Sequence, residues 1–429
     1  MAPTSMMLHE DDVDLVRPRP RSPRRKPPKA RTKPKSKTKA NVNMQSVRFE
    51  ALGRNSDSDD EEKGLRDEEA GGFTRGAPAS TFDGIDQAKK VVDRARDLDD
   101  PCTSAVVLIS LAVLVITVAL WASLGRGEKR APRVSFLVVG DWGRNGMYNQ
   151  SEVAKQMGRI ADEKEIAFVV SSGDNFYELG LKNDSDPKFT QSFTDIYSSP
   201  GLQKQWYAVL GNHDYAGNVS AQLSRQLTER DPRWFCDRSF RVRQPLCAQS
   251  KDCKDFVTLF FIDTSPFVEK YHDDSVFDFS DLPHYPDWDQ QLNSQVEELR
   301  SWLASSTDTW KIVIGHHTMR SFGEHGDTVE LVQRILPVLE EYNAPLYING
   351  HDHDLQHIKR PDSNVHCFTS GAGSRSYRSL HVEDPDFKET ARFAHRGQGF
   401  LSLSVSQKDV DLEFYDVFGN VVYSYNLQH

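Results

Sequence analysis

Five short polar segments, each tied to an apolar run, constrain this chain more than any other feature. They read Gly140-Asp141-Trp142-Gly143, Gly173-Asp174-Asn175-Phe176-Tyr177, Gly211-Asn212-His213-Asp214, Val313-Ile314-Gly315-His316 and Gly350-His351-Asp352-His353. A buried strand that stops at a glycine and passes to a carboxylate or imidazole puts that side chain at a sheet's carboxyl edge. Parallel strands end on one rim, so loops far apart in sequence can meet there in an α/β fold. The runs at 134–139, 166–171, 206–210, 257–262, 310–314 and 346–348 read as short buried strands. Helices are expected over 150–164, 289–304 and 328–342. The runs at 399–405, 410–415 and 421–425 alternate like antiparallel strands, which makes the sheet system mixed.

Brought together, these loops offer a full ligand set for two adjacent metal ions. Asp141 and Asp174 supply carboxylates, Tyr177 a phenol, Asn212 an amide oxygen, and His316, His351 and His353 imidazoles. That mixture suits iron, zinc or manganese and is too rich in nitrogen for calcium. A bare tyrosine loses its proton only near pH ~10, so holding Tyr177 as phenolate in acid requires a strongly acidic cation such as ferric iron. Asp214 and Asp352 read as partners that orient ligands, and Trp142 and Phe176 as packing or pocket walls. His272, His284, His357, His366, His381 and His395 are assigned no catalytic part.

Composition divides the chain into three regions. Residues 1–100 read as a disordered charged tail, with Arg and Lys among Pro and Ser up to Lys39 and an acidic run from Asp57. Between Cys102 and Gly125 no residue is charged. At ~1.5 Å per residue, about 20 helical residues cross a ~30 Å hydrocarbon core, so 104–124 reads as a transmembrane signal anchor. Lys89, Lys90, Arg94 and Arg96 on one side balance Arg126, Lys129, Arg130 and Arg133 on the other, so flanking charge sets no orientation. Asn-x-Ser triplets at Asn149, Asn183 and Asn218, with Cys236, Cys247, Cys253 and Cys367, all follow the anchor. They favour a single-pass type II membrane protein whose folded region, 132–429, is lumenal or extracellular. Spacing does not fix how those cysteines pair. A net charge of −10 and the lack of a basic, aromatic-laced stripe beyond residue 130 argue against a nucleic-acid partner.

The five segments resemble the motif set of the purple acid phosphatases, within the metallophosphoesterases. Their surroundings are similar to the small, animal-type, tartrate-resistant members. The likeness extends to Gly217-Asn218-Val219-Ser220-Ala221-Gln222, Glu324-His325-Gly326, Asp354-Leu355-Gln356 and Ser370-Gly371-Ala372-Gly373. It covers nearly all of 132–429 and none of the first 130 residues. The resemblance implies a four-layer α/β sandwich, two mixed β-sheets flanked by helices. It implies a ferric ion held by Asp141, Tyr177 and His353, with Asp174 bridging to a second, divalent ion (iron, zinc or manganese) on Asn212, His316 and His351. His213 and His325 would hold substrate phosphate and protonate the leaving oxygen. The implied activity is an acid phosphatase that cleaves phosphate monoesters with hydroxide as nucleophile. One departure is His317, where the animal enzymes typically carry an aromatic residue, so the pocket rim is expected to differ. A dinuclear phosphodiesterase or protein phosphatase would share the Asp, Asn and His ligands but normally lacks the tyrosine. A catalytically inactive surface protein would be expected to have a broken ligand set. Tyr177 and the unbroken set favour the first reading.

Overall fold

The computed structural model describes residues 105, 109, 110, 112–117, 132–247, 253–377 and 379–429. The tail expected over 1–100 and most of the anchor expected over 104–124 lie outside them. Among the described residues no helix is long and apolar enough to cross a membrane.

Two seven-stranded sheets carry the fold. The first uses β1 (Val134–Val139), β2 (Phe168–Ser171), β3 (Gln205–Ala208) and β4 (Trp234–Cys236) in parallel, after helix α1 (Gln150–Lys164) has led from β1 to β2. The second begins with β5 (Phe240–Pro245) antiparallel to β6 (Phe256–Phe261). Helix α2 (Trp288–Ser305) precedes β7 (Trp310–Ile314), and α3 (Val329–Arg334) and α4 (Leu336–Glu341) precede β8 (Leu346–Asn349). Then come β9 (Leu355–Ile358), β10 (His366–Ser370) and β11 (Ala391–His395). The chain finally returns to the first sheet as β12 (Gly399–Val405), β13 (Asp409–Asp416) and β14 (Val421–Gln428). The orders are β14-β13-β12-β1-β2-β3-β4 and β11-β9-β10-β8-β7-β6-β5.

Period-two alternation assigns each strand residue to a layer. On β1, Phe136 and Val138 enter the apolar cluster between the sheets, while Leu137 and Val139 face Val153, Met157 and Ile160 of α1. On β7 and β8, Ile312, Ile314 and Ile348 face inward to that cluster, and Val313 and Tyr347 face Leu299, Leu331 and Leu339 of the helices. Burial on both faces is why these strands read as unbroken apolar runs.

Two expectations change in detail. The helix expected over 328–342 is two helices, broken at Ile335, because Pro337 has no N–H to give a continuing helix. Strands β4, β5, β9, β10 and β11 were not anticipated. Cys247 and Cys253 form a disulfide, whereas Cys236 and Cys367 are free and buried.

Candidate metal centre

All five segments lie where a parallel strand ends: three follow β1, β2 and β3 of the first sheet, and two follow β7 and β8 of the second. The two rims are stitched together by backbone, Gly140 N donating to Ser370 O at 2.8 Å and Gly373 N to Gly140 O at 3.0 Å, while Asp141 N donates to Gly173 O at 3.0 Å within the first rim. Close approach sets the glycines. A Cβ on Gly211 would stand 2.2 Å from Asp174 Oδ1, and one on Gly173, at φ +96°, would stand 2.5 Å from the His316 ring. Asp141, Asp174 and His351 themselves take left-handed φ values of 61°, 50° and 71°. Such conformations cost on the order of 1–3 kcal/mol each and persist where the surroundings over-determine them. Here His351 N donates to Asp141 Oδ2 at 3.0 Å and His213 N to Asp174 Oδ1 at 2.8 Å.

The predicted ligands come together in two groups. In the first, Tyr177 Oη lies 3.1 Å from Asp141 Oδ1, 3.0 Å from Asp174 Oδ2 and 2.9 Å from His353 Nε2. In the second, His316 Nε2 lies 3.2 Å from Asn212 Oδ1 and 3.5 Å from Asp174 Oδ1. The His351 ring completes this side, with its centroid 5.1 Å from that of His316. Asp174 therefore turns one oxygen to each group. Asp141, Asp174 and His316 offer ligand atoms within 4.8 Å of one another, and all three residues are buried. The donors fit cations: two buried carboxylates and one imidazole nitrogen crowd around a single phenolic proton, which cannot satisfy them all.

Burial holds the His316 imidazole below its usual range, and it holds those of His351 and His353 well below it. Neutral imidazole is the form that can give a lone pair to a metal. Backbone fixes the tautomer at His316, whose Nδ1–H donates to Ser172 O at 2.8 Å and leaves Nε2 facing Asp174.

The expected outer pair stands on either side. His213 Nδ1 bonds Glu178 O at 2.6 Å, which sets its Nε2 3.9 Å from Asp174 Oδ2. His325 Nδ1 bonds Asp352 Oδ1 at 2.8 Å, and its ring lies 4.1 Å from that of His351. Burial alone would raise the Asp352 carboxyl, but the hydrogen bond and charge of His325 hold it below the ordinary range. Asp214 accepts from Gly211 N, Asn175 N and Gln222 Nε2, so it shapes the loops rather than facing the donors. Burial, and then the charge of Asp174, push its carboxyl up to about 7. Trp142 and Phe176 are wholly buried and pack edge to face in an aromatic cluster.

Comparison with known proteins agrees with this geometry. Residues 134–355 match the calcineurin-like phosphoesterase family. Purple acid phosphatase 3 of Arabidopsis thaliana is 49% identical over 294 residues, which cover 68% of this chain and 76% of that protein. The chain belongs to the purple acid phosphatases. The human tartrate-resistant acid phosphatase type 5 is 30% identical, with 74% of this chain and 97% of that protein covered. The animal-type likeness is thus real, although the plant relative shares more residues. Among solved structures, Plasmodium GAP50, described as the anchor in the inner membrane complex, superposes with a TM-score of 0.58. That match covers 69% of this chain and 89% of GAP50 at 24% identity, and is a likeness of fold alone.

As a purple acid phosphatase the chain is an acid phosphatase, and its family implies a dinuclear metal centre and phosphate ester substrates. No residue pattern points to the parts played by Ser172 and Glu178, which act through carbonyl oxygens that every residue has. His317 differs from expectation: it is fully buried rather than on the rim, with Nδ1 2.9 Å from Thr264 Oγ1 and its ring 4.4 Å from that of His351. Arg144, next to the first segment, also went unremarked; it is 4% exposed and its guanidinium carbon lies 3.6 Å from the Tyr177 ring centroid.

Proposed function

We propose that this acid phosphatase hydrolyses phosphate monoesters at an Fe(III)–M(II) centre. Asp141, Tyr177 and His353 would hold the ferric ion and Asn212, His316 and His351 the divalent one, with Asp174 shared between them. The observation that carries this reading is Tyr177 Oη, which shares its surroundings with two carboxylates and an imidazole at 2.9–3.1 Å. A phenol placed so becomes a ligand to a hard, strongly acidic ion. When bound, the metal pair supplies Lewis acidity that activates water and neutralises phosphate oxygens.

The chain's own residues do the rest. Asp174, with one oxygen toward each group, fixes their separation. His213, anchored through Nδ1 on Glu178 O, presents Nε2 to a phosphate oxygen. His325 gives the leaving oxygen its proton from Nε2, since Asp352 holds Nδ1. Metal analysis, visible spectrum and pH–rate profile on one purified preparation test the reading. Iron, a tyrosinate charge-transfer band and turnover in acid are expected. A colourless, iron-replete protein would refute it.

The same proposal places residues 104–124 across a membrane and 132–429 on its lumenal or outer side. In its support, Asn149, Asn183 and Asn218 are all exposed. Treatment of the expressed full chain with an N-glycosidase should raise its electrophoretic mobility. An unchanged mobility counts against lumenal placement.

A further inference from the structure

Arg144 carries a charge that the reaction as described does not use. It is 4% exposed, its Nε is buried without a hydrogen-bond partner, and its guanidinium pairs with the Glu178 carboxylate. Desolvating a guanidinium is costly, and one half-exposed carboxylate compensates it only in part. What fills the remaining space is the face of Tyr177, whose ring centroid is 3.6 Å from the guanidinium carbon. Arg144 N is itself fixed on Gln150 Oε1 at 3.1 Å, and Tyr177 N on Gly143 O at 3.0 Å, so cation and ring cannot drift apart independently. The His213 ring packs against the same tyrosine at 4.4 Å.

We propose that Arg144 is a positioning residue for the Tyr177 phenolate: its stacked guanidinium loads positive charge on the ring and limits how strongly the ring donates to the metal. The inference rests on the assignment of Tyr177 as an iron ligand. A cation over an aromatic face lowers the energy of the ring's electrons. It stands closer to the ring than to an ion beyond the phenolic oxygen, so it stabilises the donor orbital more than the acceptor. Charge transfer from phenolate to iron then needs more energy than in a site without the arginine. Glu178 opposes this by withdrawing part of the positive charge.

The test is the visible band of the iron-loaded full chain, read at one pH in the wild type, Arg144→Gln and Glu178→Gln at matched iron content. Arg144→Gln should move the band to longer wavelength and Glu178→Gln to shorter wavelength. Opposite movements distinguish a charge effect from loosened packing, which has no reason to shift the two variants apart. The Glu178 substitution keeps the carbonyl that holds His213. Unmoved bands, or both moving the same way, overturn the proposal while leaving the iron–tyrosinate reading intact. A colourless wild type overturns both. Should Arg144→Gln lose iron, Glu178→Gln decides alone: a band that does not shorten its wavelength sinks the idea.

Discussion

Asp174 serves two groups of donors at once, and few single atoms in the molecule matter as much as its oxygens. Asp174→Asn should lose metal content and activity together, because an amide cannot give anionic oxygen to both sides. Metal analysis beside kcat checks this, and retention of both would disprove the bridging role. Asp352 acts at one remove, through His325. Partners of this kind typically cost 10–100-fold when replaced, so Asp352→Asn should lower kcat by about that factor. The loss should be larger for an alkyl phosphate than for a nitrophenyl phosphate, whose leaving group needs no proton. Equal losses would mean that Asp352 supports the fold and not proton transfer. The proposed metal ligands were legible because each side chain carries its chemistry in its name and follows an apolar run. His213 and His325 were legible only through resemblance, since a loop histidine looks alike in any role. The carbonyls of Ser172 and Glu178, which hold His316 and His213, leave no trace in a sequence.

Strands were legible in proportion to how apolar they are. β1, β7 and β12 stand where their hydrophobic runs predicted, but β9 and β10 contain Gln356, His357, His366 and Thr369 and are nevertheless buried throughout. Tertiary pairing satisfies those polar groups, and no local pattern reports it. His357 Nε2 lies 2.9 Å from His366 Nδ1, and His357 Nδ1 lies 2.9 Å from Tyr423 Oη of β14. Burial pushes His357 down to about 2 and His366 to about 4, with Lys359 and Arg392 adding to both effects. In the unfolded chain both titrate near ~6.5. The unfolded state therefore takes up protons first, so stability is full above that pH and falls as pH drops toward 4. The slope is on the order of 1 kcal/mol per pH unit for each histidine. His366→Gln should be less stable than wild type near pH 7.5, with the gap narrowing by pH 4.5. Thermal unfolding across that range measures it, and a gap constant with pH would exclude the histidine pair as a source of acid sensitivity.

At the scale of the whole molecule, neither sheet owns the metal centre. β1, β2 and β3 bring four of the seven donors and β7 and β8 the other three. Ions bound there would tie the rims of both sheets, in addition to the apolar cluster between them. Binding at ~1,000-fold over Kd stabilises by ~4 kcal/mol per site. For a domain of this size, removing both ions should lower Tm by roughly 5–15 °C. Calorimetry before and after chelation, with iron restored as the control, checks the estimate. An unchanged Tm would mean that the folded region does not depend on its metals.

The return of β12 to the first sheet has a consequence for how the protein is made. β1 pairs with β12 from Val134↔Val405 onward, so the first strand of the folded region, with β2 on one side, waits for the last part of the chain before its second neighbour exists. Contacts so distant along the chain form slowly, because a long loop must close before any pairing rewards it. Until then Phe136 and Val138, bound for the layer between the sheets, have an open edge beside them. A ribosome stalled before Gly399 would release a chain with all seven proposed metal ligands in place and the strand that leads to the first of them paired on one edge alone. Such a product is expected to aggregate instead of working slowly, which makes the far C-terminus as necessary to the metal centre as the loops that touch it.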